Sequence, residues 1–289
     1  MLNTPSRTDT HLPELNPPDP NPPNISKRQL GAELRAAALE LLGRLGYGSA
    51  RQIAKALWGS VTPSTRKMAT RMLTRLLSEG YLVAKRDCDR VNGERFVALT
   101  AAGTRQLTYL LPQSRFHARD WLRHAHPHRT AANSVFVAGC HAQPGGMESG
   151  CTELEIRSGD VPAHLARFDF NLDGVPAQKI PDCVFKMPGG YVWVEVENNW
   201  RSAKDFNKLV GFLRAMFALK SPPMAAVWFV VTAPGAKTIG QRLSKALGPG
   251  DPRTDGRGRL LRELDARILA ERVKVFMLNH ETVTLSALN

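Results

Sequence analysis

Asp182, Glu195 and Glu197 are the residues whose types and spacing most directly invite chemistry. They sit on two short β-rich runs, Ile180-Pro181-Asp182-Cys183-Val184-Phe185 and Tyr191-Val192-Trp193-Val194-Glu195-Val196-Glu197, joined by Met187-Pro188-Gly189-Gly190. Proline and paired glycines between such runs predict a hairpin. A turn centred between Pro188 and Gly189 sets Asp182 opposite Glu195. Val192, Val194 and Val196 then share one face, and Tyr191, Trp193, Glu195 and Glu197 share the other. Three carboxylates on one patch of sheet repel and call for a compensating cation. A divalent ion, Mg²⁺ or Mn²⁺, is the expected occupant, because carboxylate oxygens suit hard cations. The alternative, a solvated sheet face carrying ordinary charge, fits the same spacing.

Other constellations are weaker. His124-Ala125-His126-Pro127-His128 has zinc-like spacing, but Pro127 interrupts it and apolar flanks are missing, which reads as a polar linker. No glycine-rich phosphate loop and no Gly-x-Ser-x-Gly occurs, so neither a nucleotide cofactor nor a hydrolase triad is expected. The four cysteines, at 88, 140, 151 and 183, lack a CxxC spacing and fit reduced thiols of a cytoplasmic protein.

The elements that must position the acids are spread over 289 residues of ordinary apolar content (43%), a length suited to about two domains. No apolar run is long enough to span a bilayer, so no membrane partner is expected. Net charge is +13. Residues 1–27, with seven prolines, read as a disordered tail. Residues 28–112 carry fourteen basic and six acidic side chains, and residues 113–289 carry twenty-three and seventeen. Two basic parts point to a polyanionic partner, with double-stranded DNA the first choice.

In the first part, apolar residues at helical spacing predict a helix over Ala32–Leu45, broken by Gly46 and Gly48. Ser49 opens a second helix, Ala50–Leu57, and Thr62-Pro63 opens a third that stops at Gly80. Two short strands, Tyr81–Ala84 and Arg95–Leu99, flank a polar loop containing Asn92-Gly93, and Thr100 caps one more helix. This order is that of a winged helix-turn-helix. Ala69, Met72, Leu73, Leu76 and Leu77 form the buried stripe of its third helix, while Ser64, Lys67, Arg71, Thr74 and Arg75 form a basic, hydroxyl-bearing face suited to a major groove. Lys85, Arg86, Arg90 and Arg95 of the wing are placed to reach phosphates. A solvated face used for protein contacts is the alternative.

In residues 113–289 the expected order is a helix at His128–His141, a strand at Thr152–Arg157 and the acidic hairpin. A helix at Arg201–Leu219 and a doubly buried strand at Ala226–Thr232 follow, then helices near 237–246 and 259–271 and a strand at Val273–Leu278. The expected class is therefore α/β (α+β): a winged helix followed by a mixed sheet flanked by helices.

Helix, three strands with Pro181-Asp182 and Glu195-Val196-Glu197, then helix and strand, resembles the core of the PD-(D/E)xK nucleases. The whole chain resembles the replication-relaxation (mobilization) family of conjugative and mobilizable elements. There a winged helix ending in Leu-Thr-x-x-Gly, here Leu99-Thr100-Ala101-Ala102-Gly103, precedes a restriction-endonuclease-like domain. The family's histidine-then-asparagine helix opening resembles His128 through Asn133. The resemblance spans about residues 30–235. It implies DNA processing at a transfer origin, as an accessory protein of the relaxosome beside its other proteins or as the nicking enzyme itself. It also implies that Asp182 and Glu195 hold the metal, which would polarise a phosphodiester and activate water.

Glu197 stands where the nuclease signature has lysine, although some nucleases of the wider group use Glu-x-Glu. Lys204 and Lys208 project away from the buried face of their helix and do not supply it. The acid usual on the first core helix is missing; Glu153 or Glu155, on one strand face with Arg157, are the nearest substitutes, with an ordinary exposed strand face the favoured alternative. These departures leave open a regulator of transcription or replication whose nuclease-like domain only binds, and a defence nuclease.

Overall fold

The computed structural model describes residues 26–85, 94–110, 119–141, 150–199, 201–232, 237–248 and 263–288. The wing tip with Arg86 and Arg90, the expected proline-rich tail and the start of the helix expected over 259–271 lie outside these residues.

The first half begins with α1 (Lys27–Leu45), capped by Ser26 and ended by Gly46, whose φ of 80° suits glycine. A two-residue strand, β1 (Gly48–Ser49), leads into α2 (Ala50–Trp58), opened by a reciprocal Ser49–Gln52 capping box. Thr62 and Thr65 do the same for α3 (Pro63–Ser78), with proline at its first position. β2 (Leu82–Ala84) and β3 (Phe96–Leu99) pair antiparallel, and β3 also pairs with β1. Thr100 caps α4 (Ala101–Leu110) by accepting the Gly103 amide at 3.1 Å. A Cβ at Gly103 would overlap the Tyr81 carbonyl oxygen, so the Leu-Thr-x-x-Gly step is a tight docking of α4 on the wing. The helix-turn-helix and wing base thus form as expected.

After α5 (Arg119–Arg123) come α6 (Pro127–His141), β4 (Gly150–Thr152), α7 (Glu153–Ser158) and α8 (Ala163–Ala166). Next are β5 (Phe168–Leu172), β6 (Val175–Lys179), β7 (Cys183–Met187), β8 (Gly190–Glu197), α9 (Ala203–Phe217) and β9 (Ala226–Val231). α10 (Ile239–Leu247), a π-helical turn (Ile268–Arg272), β10 (Val273–Asn279) and β11 (Thr284–Ala287) complete the described chain. The main sheet is mixed, in the order β11-β10-β9-β8-β7-β4, with β8, β9 and β10 mutually parallel and the other pairs antiparallel.

The β7–β8 register, Cys183↔Val194 through Met187↔Gly190, centres the turn between Pro188 and Gly189 as expected. α6 packs with Val192, Val194 and Val196, whereas α9 packs with Trp193 on the other face. Both faces of β8 are covered, which removes the solvated-face alternative for Glu195 and Glu197.

Three expectations change. Only Thr152 of the run 152–157 is strand. Thr152 and Glu155 form a capping box and turn the rest into α7, so Glu153 and Glu155 lie on a helix. A hairpin, β5–β6, stands outside the main sheet, turning at Asp173-Gly174, where both residues have positive φ. β11 adds an edge strand beyond β10.

Among the described residues the two halves share apolar packing. One apolar cluster runs from Leu41, Leu42 and Ile53 of the winged helix through Ala131, Val135 and Phe136 of α6 to Val194 and Trp228 of the sheet. Polar groups lock the same junction. Asn133 (2% exposed) donates to the carbonyls of Leu45 and Tyr47, and Gln52 donates to Thr130 O and Ser134 Oγ. Arg44 reaches Glu155 at 2.7 Å and the Gly150 carbonyl at 2.5 Å. Among the described residues no helix is long and apolar enough to cross a membrane.

The close approach of α6 to the sheet predicts a stability difference. A Cβ at Gly139 overlaps the Phe185 ring, whereas one at Gly31 meets nothing. Gly139→Ala should destabilise by about 1–3 kcal/mol through overpacking. Gly31→Ala, at an exposed helical position, should stabilise by about 0.5–1 kcal/mol. Urea denaturation of both variants checks the contrast.

Candidate functional site

Glu195 and Glu197 end the central strand β8 at its carboxyl end, 4% and 3% exposed. Two carboxylates so deeply buried need donors of their own. Glu195 Oε1 accepts from Trp193 Nε1 at 2.7 Å. Its Oε2 accepts from Lys179 Nζ at 2.5 Å and Arg201 Nη2 at 3.0 Å. Both Glu197 oxygens accept from Arg201 Nε at 2.8 Å. Lys179 is the last residue of β6, and Arg201 precedes the Ser202 cap of α9. Each cation therefore arrives on a different element.

Asp182 is held from the α6 side. It stands opposite Glu195 one step beyond the described ladder, and its amide donates to Val194 O at 3.0 Å. Its Oδ1 lies 2.9 Å from His128 Nε2 in the first turn of α6, and its Oδ2 accepts from the Val196 amide at 2.7 Å. His128 and Asn133, the two ends of the helix-opening motif, thus serve different contacts: one meets Asp182, the other fastens α6 to the winged helix.

The protonation states follow from these contacts. Burial pushes the Glu195 carboxyl upward, but Lys179, Arg201 and the Trp193 N–H outweigh it and hold it below its ordinary value. Burial wins at Glu197, which is raised despite Arg201. Arg201 is desolvated, yet its bonds to Glu197 and the charges of Glu195 and Asp182 raise it. The hydrogen bond to Asp182 raises His128 against its own burial.

With His128 protonated, three carboxylates face three cations, and each of the six carboxylate oxygens already accepts a hydrogen bond. Asp182, Glu195 and Glu197 in this arrangement do not fit a divalent ion, because ligation would first have to displace Arg201 or Lys179. Among the described residues no group of three His, Cys, Asp or Glu side chains is placed to hold a metal. His126 and His128 stack at 6.2 Å between ring centroids, and His126 Nδ1 accepts from the Arg129 amide.

The remaining expected residues fall as follows. Glu153 pairs with Arg129 and Arg157, and Glu155 with Arg44, so neither joins the cluster. Lys204 is exposed and Lys208 half-buried on α9. Lys179 and Arg201, absent from the expected set, supply the cationic side. Lys179 belongs to the overlooked β5–β6 arm, which is clamped onto α9 by Phe168 and Phe170 against Phe212.

On α3, Ser64, Lys67, Arg71, Thr74 and Arg75 are all exposed, while Thr65, Ala69, Leu73 and Leu76 are buried. Arg66 is exposed as well. Arg75 is shared with Glu79 at 2.9 Å. Lys85 is half-buried and Arg95 exposed at the wing base.

The His128–Asp182 pair predicts a pH signature. A raised folded value means that folding favours the protonated ring. The contribution is complete below about pH 6.5 and is lost as pH rises through the folded value. His128→Gln should therefore cost up to about 1 kcal/mol more near about pH 5.5 than near about pH 8.5, discounted for the half-exposed ring. Thermal unfolding of both proteins across this range measures it.

No protein-family model matches the chain, and no curated protein matches it. Among solved structures it is similar to protein VC1899 from Vibrio cholerae, at 15% identity and a TM-score of 0.23, over 86% of this chain and 56% of that one. The chain thus spans little more than half of that protein, and a likeness this slight carries no argument.

Proposed function

We propose that this chain is a cytoplasmic double-stranded-DNA-binding protein of mobile-element transfer, an accessory member of a relaxosome that works beside its other proteins. The observation that carries the DNA reading is the α3 face, where Ser64, Lys67, Arg71, Thr74 and Arg75 stand in solvent beside a wing base bearing Arg95. Among the described residues no carboxylate pairs with Lys67 or Arg71. Free cations in a helix-turn-helix are suited to phosphates and base edges. Free thiols at Cys140, Cys151 and Cys183 accord with a reducing compartment. The transfer role rests on the resemblance of Leu99–Gly103, His128–Asn133, Pro181-Asp182 and Glu195-Val196-Glu197 to the replication-relaxation pattern. In this reading the carboxylate cluster is a self-neutralised scaffold, as in the binding-only alternative.

A second reading, metal-dependent nicking at Asp182, Glu195 and Glu197, is favoured by the strand order, with Asp182 and Glu195 on adjoining antiparallel strands and a parallel strand following. It requires Mg²⁺ or Mn²⁺ to displace cations already in place.

Binding to a mixed-sequence duplex followed over a salt series tests the first reading. Lys67→Ala and Arg71→Ala should each weaken binding, by about 1–3 kcal/mol at a base edge or with a salt slope lower by about 1 at a phosphate. Unchanged affinity in both variants removes α3 as the DNA surface. Calorimetry with Mg²⁺ and Mn²⁺, together with nicking of supercoiled plasmid, separates the two readings. A scaffold gives neither heat nor nicks, whereas both, lost in Asp182→Ala, establish the nickase.

A further inference from the structure

Lys67, Arg71 and Arg75 follow one another at four-residue intervals, so they form a single row along the exposed side of α3, about 12 Å from first to last. The row does not stop at the end of the helix. Arg75 is also a wall of a groove of about 470 Å³, formed with Lys27, Arg28, Arg35 and Gln106 around Gly31, Ala32, Ala36 and Leu39. Its floor is made of small or apolar side chains on one stripe of α1, and its rim is cationic. Among the described residues Glu79 is the one carboxylate tied to that rim, bridging Arg35 and Arg75. Four cations against one acid leave an excess of about three positive charges at the groove. Glu33 and Glu40 of α1 project to another side of the helix. Among the described residues Lys27 and Arg28 have no ion-pair partner, and both are exposed.

We infer that this α1–α4 groove is a second phosphate-binding surface that takes the sugar–phosphate backbone of the duplex beyond the segment facing α3. Apolar sugar edges suit the Gly31–Ala32–Ala36 floor, and the phosphates meet Lys27, Arg28 and Arg75. Arg75 belongs to both surfaces, so one backbone strand passes from the recognition helix onto α1 without leaving positive potential. Contacts of this kind position the protein and lengthen its footprint, and they carry no base information. The inference rests on the DNA reading above and extends it from α3 to the groove between α1 and α4.

The test compares the full chain with Lys27→Ala/Arg28→Ala and with Lys67→Ala/Arg71→Ala on duplexes of increasing length over a salt series. The first double variant should bind long duplexes more weakly, with the logarithmic salt slope shallower by about 1–2, in line with about 0.9 per phosphate contact. It should match the wild type on duplexes too short to leave α3. Loss of affinity in the α3 variant with an unchanged slope in the α1 variant overturns the groove and leaves the DNA reading standing. No duplex binding by the wild type overturns both. Capture of a polyglutamate peptide that requires Lys27 and Arg28, with unchanged DNA binding, assigns the groove to an acidic protein and overturns the inference.

Discussion

Charge buried at the end of a doubly covered strand is the constraint on which the second half of this protein depends. β8 is roofed by α6 and floored by α9, so Glu195 and Glu197 are almost wholly shielded from water. Removing either partner of such a buried pair costs about 3–5 kcal/mol. The fold meets this demand by bringing Lys179 in on a β-arm and Arg201 in at the start of α9. The aromatic contacts of Phe168, Phe170 and Phe212, which fasten the arm, therefore also place a charge. Leu172 of the same arm fits against Gly211, where a Cβ would overlap it.

α6 does for the two halves what Arg201 does for the two glutamates. One of its faces carries Ala131, Val135 and Phe136 into the shared core, its interior polar residues Thr130, Asn133 and Ser134 grip α2 and the α1–β1 turn, and its first turn presents His128 to Asp182. Tyr47, whose hydroxyl meets Thr130 at 2.9 Å, is raised to about 12 by burial and so stays protonated near neutral pH.

Much of this was legible in the residues. Pro188 and Gly189 set the hairpin register, and caps at Ser49, Thr62 and Thr100 marked helix starts, because turn and cap chemistry is local. What escaped was what local pattern disguises. Glu153-Leu154-Glu155-Ile156-Arg157 alternates polar with apolar like a strand, yet Thr152-x-x-Glu155 is a capping box, and the cap won. The β5–β6 arm was announced by Phe168, Phe170 and Leu172 at period two before Asp173-Gly174, and it alone explains Lys179. The approach of Arg201 to Glu197 is only four residues long, but it falls between the end of β8 and the start of α9, where no regular periodicity announces it. The need for a countercharge was readable from the sequence, but its source was not.

The uninterrupted packing from α2 through α6 to β8 has a geometric corollary. Among the described residues that stack is continuous, so α3 and the end of β8 beside Arg201 and His128 are tied through one packed core. In the proposed DNA-binding role the protein would act on a duplex as a caliper, with helical phase along the duplex deciding what the far jaw touches.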